Sequence, residues 1–228
     1  MNYEENISAI RIVYDALGDL KNKVAFVGGV VVPLYADTQS IEARFTSDVD
    51  VIIELLNYPS LARLEEQLIK MGFQNDIESR IICRYKIKGI TVDIMSTTLD
   101  TFGFSNKWYP EGFKYSIQYQ IGDNRSIKIL NAPYFIATKF EAFKDRGKYD
   151  GRTSQDFEDI VYILENRRGI WEEIIQLSGE IKEYLILEFS ELLKNPYIIE
   201  WIDCHVERAS PPSTYLIINE IEKIVRSK

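Results

Sequence analysis

Hydrophobic positions recur along this chain with two different periods, and the change from one to the other divides it. Ile7, Ile10, Tyr14 and Leu17 fall on one helical face, which predicts an amphipathic helix over about residues 4–19. Val24-Ala25-Phe26-Val27 is short, wholly apolar and ended by Gly28-Gly29, as a buried strand is; a helical turn or two over Val30 to Tyr35 follows. After a polar, irregular stretch over 36–47, Val49 to Leu55 predicts the next strand. Leu61, Leu64, Leu68 and Met71 predict a helix, with Ser60 near its start and Gly72 just past its end. Arg80 to Ile87 and Ile90 to Met95 read as two strands joined by Lys88-Gly89, the length of a two-residue hairpin turn. Phe102 to Tyr109 reads as an aromatic, glycine-containing loop. Phe113 to Ile121 and Ser126 to Leu130 then alternate about Gly122-Asp123-Asn124.

From Ala132 the period becomes helical. Pro133 suits a first turn, Ile136, Phe140 and Phe143 form a stripe, and Gly147 to Thr153 breaks the pattern. Thr153 or Ser154 can cap a following helix that carries Phe157, Ile160 and Leu164. The chain stays helix-rich from Gly169 to about Lys194; Pro196, Pro211 and Pro212 then interrupt it before a final helix over Thr214 to Lys228. Strands in the first part and helices in the second predict an α+β fold. The expected division is a mixed-sheet core with an N-terminal helix over residues 1–130, and a helical region over 131–228.

Composition narrows the chemistry. The 228 residues are 46% hydrophobic and 27% charged, ordinary for a soluble protein. A net charge of −8 argues against a broad nucleic-acid-binding surface, because phosphate affinity rests on clustered Lys and Arg. Cys83 and Cys204 with the single His205 leave little room for a zinc site, and no nucleophile-elbow pattern accompanies the histidine. The start, Met1 to Asn6, is acidic and polar, unlike a signal peptide, and no apolar run approaches the ~18 residues that span a bilayer. The expectation is a cytoplasmic protein with no membrane contact.

The stretch Arg44-Phe-Thr-Ser-Asp-Val-Asp50 holds the sharpest chemical signal. In a strand Asp48 and Asp50 project from one face while Val49 and Val51 pack on the other. Two carboxylates so close repel unless a cation neutralises them, and Mg²⁺ is commonly held by one or two carboxylates plus substrate phosphates. An acidic turn satisfied by solvent is an equal alternative for these seven residues alone. Asp93, between Val92 and Ile94, points away from both; beside the Asp48–Asp50 strand it would complete a set of three suited to phosphoryl or nucleotidyl transfer. Taken singly it reads better as a solvent-facing carboxylate on an edge strand. Gly28-Gly29 falls where a strand gives way to a helix, a place where backbone N–H groups can approach phosphates, although most glycine pairs are tight turns. Lys139 and Arg146, seven apart, share a helix face that could meet triphosphate oxygens; the bland reading is solvated surface, as for Glu141, Lys144 and Asp145. Asp156 suits a helix N-terminus, whereas Asp159, inside the helix, calls for a partner such as Lys139 or Arg146.

In combination these residues resemble the DNA polymerase β-like nucleotidyltransferase superfamily, and more closely its AbiEii-type branch, associated with toxin–antitoxin and phage-defence systems. Gly28-Gly29 stands for the glycine signature, and Arg44-x-Thr46-x-Asp48-x-Asp50 for the branch's Arg-x-Thr-x-Asp-x-Asp pattern. Asp93 takes the place of the third carboxylate. Lys139, Arg146-Gly147 and Asp156-x-x-Asp159 take that of the downstream Lys…Arg…Asp-x-x-Asp segment. The likeness runs over about residues 24–165. It implies a mixed-sheet nucleotidyltransferase core with flanking helices and a helical C-terminal part.

It also implies a reaction: transfer of an NMP from an NTP to an acceptor hydroxyl, with pyrophosphate released and one or two Mg²⁺ ions as cofactor. Asp48, Asp50 and Asp93 would ligate metal, with Asp93 a ligand or base, and Lys139 would join them in catalysis. Gly28, Gly29, Arg44, Thr46, Ser47, Arg146, Asp156 and Asp159 would bind nucleotide. In this branch the acceptor would be tRNA or another RNA, and a cognate antitoxin protein would be a partner. Arg80, Arg84, Lys86 and Lys88 could form a local RNA patch, and Phe104, Trp108 and Tyr109 could stack on bases. Two other readings stand beside this one. A small cationic acceptor such as an aminoglycoside would suit an acidic cleft, and a non-catalytic regulatory or interaction module would leave the carboxylates unconverged.

Overall fold

Lys88 and Gly89 both adopt positive φ, at 49° and 83°, as the two centre positions of a tight hairpin turn require. The turn fixes the register of everything before and after it: Ile87 pairs Ile90, Tyr85 pairs Val92 and Arg84 pairs Asp93. The protein is described here from a computed structural model that covers residues 2–37, 43–55, 58–98, 106–147, 150–206 and 213–226. By contact density the chain divides into two compact units. One comprises Met1–Leu34 with Glu42–Asn131, the other Tyr35–Ile41 with Ala132–Lys228.

In the first unit, helix α1 (Asn2–Ala16) buries Ile7, Ile10 and Val13 and packs on the sheet. The chain then tightens into a 3-10 turn over Gly18–Asn22 and enters β1 (Val24–Val27). A 3-10 segment, Gly29–Tyr35, follows β1 where the sequence predicted helical turns. Next come β2 (Asp48–Ile53), α2 (Tyr58–Lys70), β3 (Gln74–Asn75), β4 (Arg84–Ile87) and β5 (Ile90–Ser96). The unit closes with α3 (Tyr109–Lys114), β6 (Ile117–Gln120) and β7 (Ser126–Ile129).

Among the described residues the strands form one seven-stranded sheet in the order β3-β4-β5-β2-β1-β7-β6. It is mixed: β2 runs parallel to β5 and β1 parallel to β7, while the other neighbours are antiparallel. Central β1 is buried at all four positions, as expected of a strand covered on both faces. A mixed sheet with helices makes the fold α+β.

Three local readings differ. Arg80–Cys83 lies outside β4, and Arg80 itself sits in the left-handed region at φ 59°, which ends the pairing early. The segment read as a strand from Phe113 begins instead as helix α3. Pro110 near its N-terminus, a residue favoured in a helix first turn, was the available signal. Strand β3 is only two residues long, too short to carry a period.

The second unit is helical: α4 (Ala132–Arg146), α5 (Gln155–Asn166), α6 (Ile170–Ile175), α7 (Glu180–Lys194), α8 (Ile198–Asp203) and α9 (Ser213–Arg226). Ser154 caps α5, its Oγ accepting from the Phe157 N–H at 3.3 Å, which decides between the two expected caps. Helix α4 is buried nearly all round rather than along the expected stripe, so it is the central helix of this unit. Phe143, Phe157 and Trp201 meet edge-to-face or tilted, with centroids 5.2–6.0 Å apart, and tie α4, α5 and α8 together. Glu141 and Lys144 are not free surface: Lys144 Nζ lies 2.6 Å from Glu141 and 2.7 Å from Glu188, and Tyr184 Oη donates to Glu141 at 2.6 Å.

Candidate active site

Parallel pairing sets Asp50 of β2 directly opposite Asp93 of β5, and Asp48 opposite Thr91. Asp48, Asp50 and Asp93 therefore share one face of the sheet. Each offers an oxygen within 4.8 Å of the others, and among the described residues no second group of three or more His, Cys, Asp or Glu converges so closely. Val49 and Val51 are fully buried on the opposite face and anchor the strand. Asp48 and Asp50 are half-buried, and Asp93 is 9% exposed.

Three neighbours shape the cluster. Thr46 Oγ1 donates to Asp48 Oδ1 at 2.8 Å and holds that carboxylate in place. Gly28, at φ 71°, lies against Asp50; a Cβ there would collide with the carboxylate. A Cβ on Gly29 would collide in the same way with the Arg44 guanidinium. At Gly28 glycine is required by its positive φ and by the close approach of Asp50, a reason distinct from any phosphate contact; at Gly29 the overlap is with the movable end of Arg44. Ser47 is exposed beside them.

The third neighbour is Arg84. Its Nε and Nη2 donate to the two oxygens of Asp93 at 2.8 and 2.7 Å, and Nη2 lies 3.6 Å from Asp48. Hydrogen bonding to Asp93 raises the Arg84 pKa further, so the guanidinium is a fixed positive charge. Burial pushes the nearby Cys83 thiol up to about 11, with the Asp93 charge adding to the effect; Cys83 is an inert thiol here.

Sequence reasoning offered Arg84 as one candidate for a local RNA patch; the register pairs it with Asp93 instead. Counting back from the Lys88-Gly89 turn puts Arg84 opposite Asp93, and that count was the signal available in the sequence. Lys86 likewise bonds Asp76 at 3.1 Å. Trp108 and Tyr109 are buried, 5% and 7% exposed, and so offer no stacking face; Phe104 lies outside the described residues.

In the second unit Lys139, Arg146, Asp156 and Asp159 form their own cluster. The Lys139 side chain is 5% exposed, and its Nζ lies 3.0 Å from Asp156 and 2.6 Å from Asp159. Arg146 grips Asp156 through Nε and Nη2 at 2.7 and 2.9 Å. Seven-residue spacing on α4 does set both cations on one face, and Asp159 finds the partner its position called for. Burial pushes the Asp156 carboxyl up, but Arg146 and Lys139 outweigh it and hold it at about 2. Burial likewise lowers the Lys139 pKa, and the two carboxylates overcome this and raise it above the ordinary lysine value. The Lys139 ammonium is thus committed to two carboxylates, while Arg146 keeps a solvent-facing edge at 61% exposure.

A divalent cation fits the first cluster on its donor chemistry. The ligands are hard carboxylate oxygens, and two of the three residues are open to solvent. His205 gives its ring Nε2 to the Gly151 carbonyl at 2.6 Å and Cys204 is exposed beside it. No helix among the described residues is long and apolar enough to cross a membrane.

Comparisons with known proteins bear on the same residues. No curated protein matches the chain. Among solved structures, an antigenic nucleotidyltransferase-like protein from Paracoccidioides brasiliensis matches with TM-score 0.49 at 15% identity, covering 91% of this chain and 96% of that one. Residues 11–189 match the family described as nucleotidyl transferase AbiEii toxin, type IV toxin–antitoxin system. That span takes in both clusters and most of the sequence, and the chain belongs to the AbiEii nucleotidyltransferase toxin family.

Proposed function

We propose that this chain transfers an NMP unit from an NTP to an RNA hydroxyl, tRNA being the first candidate, with pyrophosphate as the other product and Mg²⁺ as cofactor. One observation carries the reading: Asp93, distant in sequence, converges with Asp48 and Asp50 on one sheet face, their oxygens within 4.8 Å of one another. Such a set is costly without a cation, because like charges directly opposite across strands destabilise a sheet. Membership of a nucleotidyltransferase toxin family supports the same chemistry.

In this reading Asp48, Asp50 and Asp93 hold the metal, and Thr46 fixes the orientation of Asp48. A bound divalent cation would supply charge stabilisation at the phosphoryl oxygens. Gly28 and Gly29 let Asp50 and Arg44 approach the loop where the triphosphate would lie, and Ser47 and Arg44 are the groups proposed to contact it. Asp93, whose oxygens accept from Arg84 in the metal-free protein, completes the ligand set when the metal is bound. Arg146, Lys139, Asp156 and Asp159 form a fixed ionic network whose exposed cation, Arg146, is the group able to meet an anionic substrate. With a net charge of −8, RNA contact must be confined to local groups. A small cationic acceptor such as an aminoglycoside remains the competing acceptor class, and an antitoxin protein is the proposed partner.

The test is transfer of label from each α-labelled NTP in the presence of Mg²⁺, with total RNA in one arm and an aminoglycoside in the other. Labelled RNA that disappears in Asp48→Ala supports the proposal. Label on the aminoglycoside alone changes the acceptor class. Transfer undiminished in Asp48→Ala would refute the assigned site.

A further inference from the structure

Arg84 stands where a cation is expected. It lies on the same sheet face as the three carboxylates, because it pairs Asp93 across β4–β5 while Asp93 faces Asp50 across β5–β2. Its Nη2 is shared between Asp93 at 2.7 Å and Asp48 at 3.6 Å, and its Nε takes the other Asp93 oxygen at 2.8 Å. The guanidinium thus bridges two of the three residues that the proposed metal would use. Its side chain is 23% exposed, so a path into solvent is open to it.

We propose that Arg84 is a built-in competitor for the metal, neutralising the acidic cluster until a divalent cation displaces its guanidinium from Asp48 and Asp93. This inference rests on the metal site proposed above. Two considerations carry it. A fork-to-fork Arg–carboxylate pair occupies both oxygens of Asp93 in a fixed plane, so that carboxylate reaches a metal only by turning away or sharing its remaining lone pairs. A divalent ion close enough to ligate all three aspartates would also lie within a few ångströms of the guanidinium. Repulsion between charges of +2 and +1 at that range is large even in a water-like dielectric. Metal binding and the present Arg84 position are therefore mutually unfavourable. The device keeps a set of opposed carboxylates folded without metal and sets a threshold concentration for loading.

Mn²⁺ binding to the full chain, measured by calorimetric titration, tests this without reference to catalysis. Removing the competing charge in Arg84→Met is expected to tighten Mn²⁺ binding by about tenfold or more. Arg84→Lys keeps the charge but loses the fork and is expected to fall between the two; it carries the test should Arg84→Met not fold. Melting in metal-free buffer adds an independent readout. Arg84→Met should melt below the wild type without Mn²⁺ and gain more on saturation. Binding equal to or weaker than the wild type in both variants overturns the inference and makes Arg84 a group that orients Asp93 for the metal. Mn²⁺ binding that Asp48→Ala leaves unchanged overturns the metal site itself, a separable failure.

Discussion

Asp50 and Asp93 stand directly opposite each other on the parallel strands β2 and β5, two carboxylates in one register position of a mixed sheet. A divalent cation held by these carboxylates in the folded state alone should favour that state by mass action. At ten times its Kd, such a ligand contributes about 1.4 kcal/mol, or ~3–6 °C in Tm for a chain of this size. Mg²⁺ or Mn²⁺ is therefore expected to raise the melting temperature by that order, and the rise should be absent in Asp50→Asn. Equal rises in both proteins, followed by circular dichroism, would remove the cluster from consideration as the metal site.

Gly28 is tied to Asp50 by space and to its own φ of 71° by backbone sterics. Gly28→Ala faces both constraints: a left-handed conformation costs an L-residue roughly 1–2 kcal/mol, and the added methyl displaces the Asp50 carboxylate. The variant is expected to lose about 1–3 kcal/mol in urea unfolding and to lose label transfer more completely than its stability explains. Gly89→Ala is the control. Its φ is also positive, at 83°, but nothing lies near its Cβ, so it should lose stability and keep transfer.

Much of the site was legible because it follows from strand alternation. Asp48 and Asp50 share a face with Val49 between them, and Asp93 lies opposite Val92 and Ile94, as period-two reasoning requires. Convergence was implied only by the family resemblance, since it depends on β5 pairing β2 in parallel across a gap of some forty residues, and no local pattern records that pairing. Arg84 was misread for the opposite reason. The hairpin register contained the answer, but a surface cation was the default for an arginine. Lys139 shows a third kind of gap: its face was legible from the seven-residue spacing, whereas its burial between Asp156 and Asp159 depends on α5 packing against α4.

Lys139 also makes a stability prediction. Removing Lys139 takes the buried ammonium away from Asp159 and leaves Asp156 to Arg146; breaking a buried ion pair in this way costs about 3–5 kcal/mol. Lys139→Met is expected to lose stability on that scale in urea unfolding, and Lys139→Met combined with Asp159→Leu should recover a substantial part of it. If Lys139→Met unfolds at the wild-type urea concentration, the ionic network is not what holds α4 to α5.

The same network fixes a pH window. Asp156 is held at about 2 against an ordinary value of 3.8, so its folded pKa is depressed. Its contribution is fully present above the unfolded pKa and disappears as pH falls from about 4 through about 2. The difference corresponds to roughly 2 kcal/mol. Lys139 is raised above 10.5, so its contribution is fully present below that value and is lost only as the pH rises through the higher folded pKa. Stability from these two groups is therefore expected to be flat from about pH 4 to 10 and to fall at both ends. Urea unfolding across this range should show the acid limb flattened in Asp156→Asn, because the substituted amide no longer titrates. An acid limb of unchanged slope in that variant would assign acid unfolding to other carboxylates.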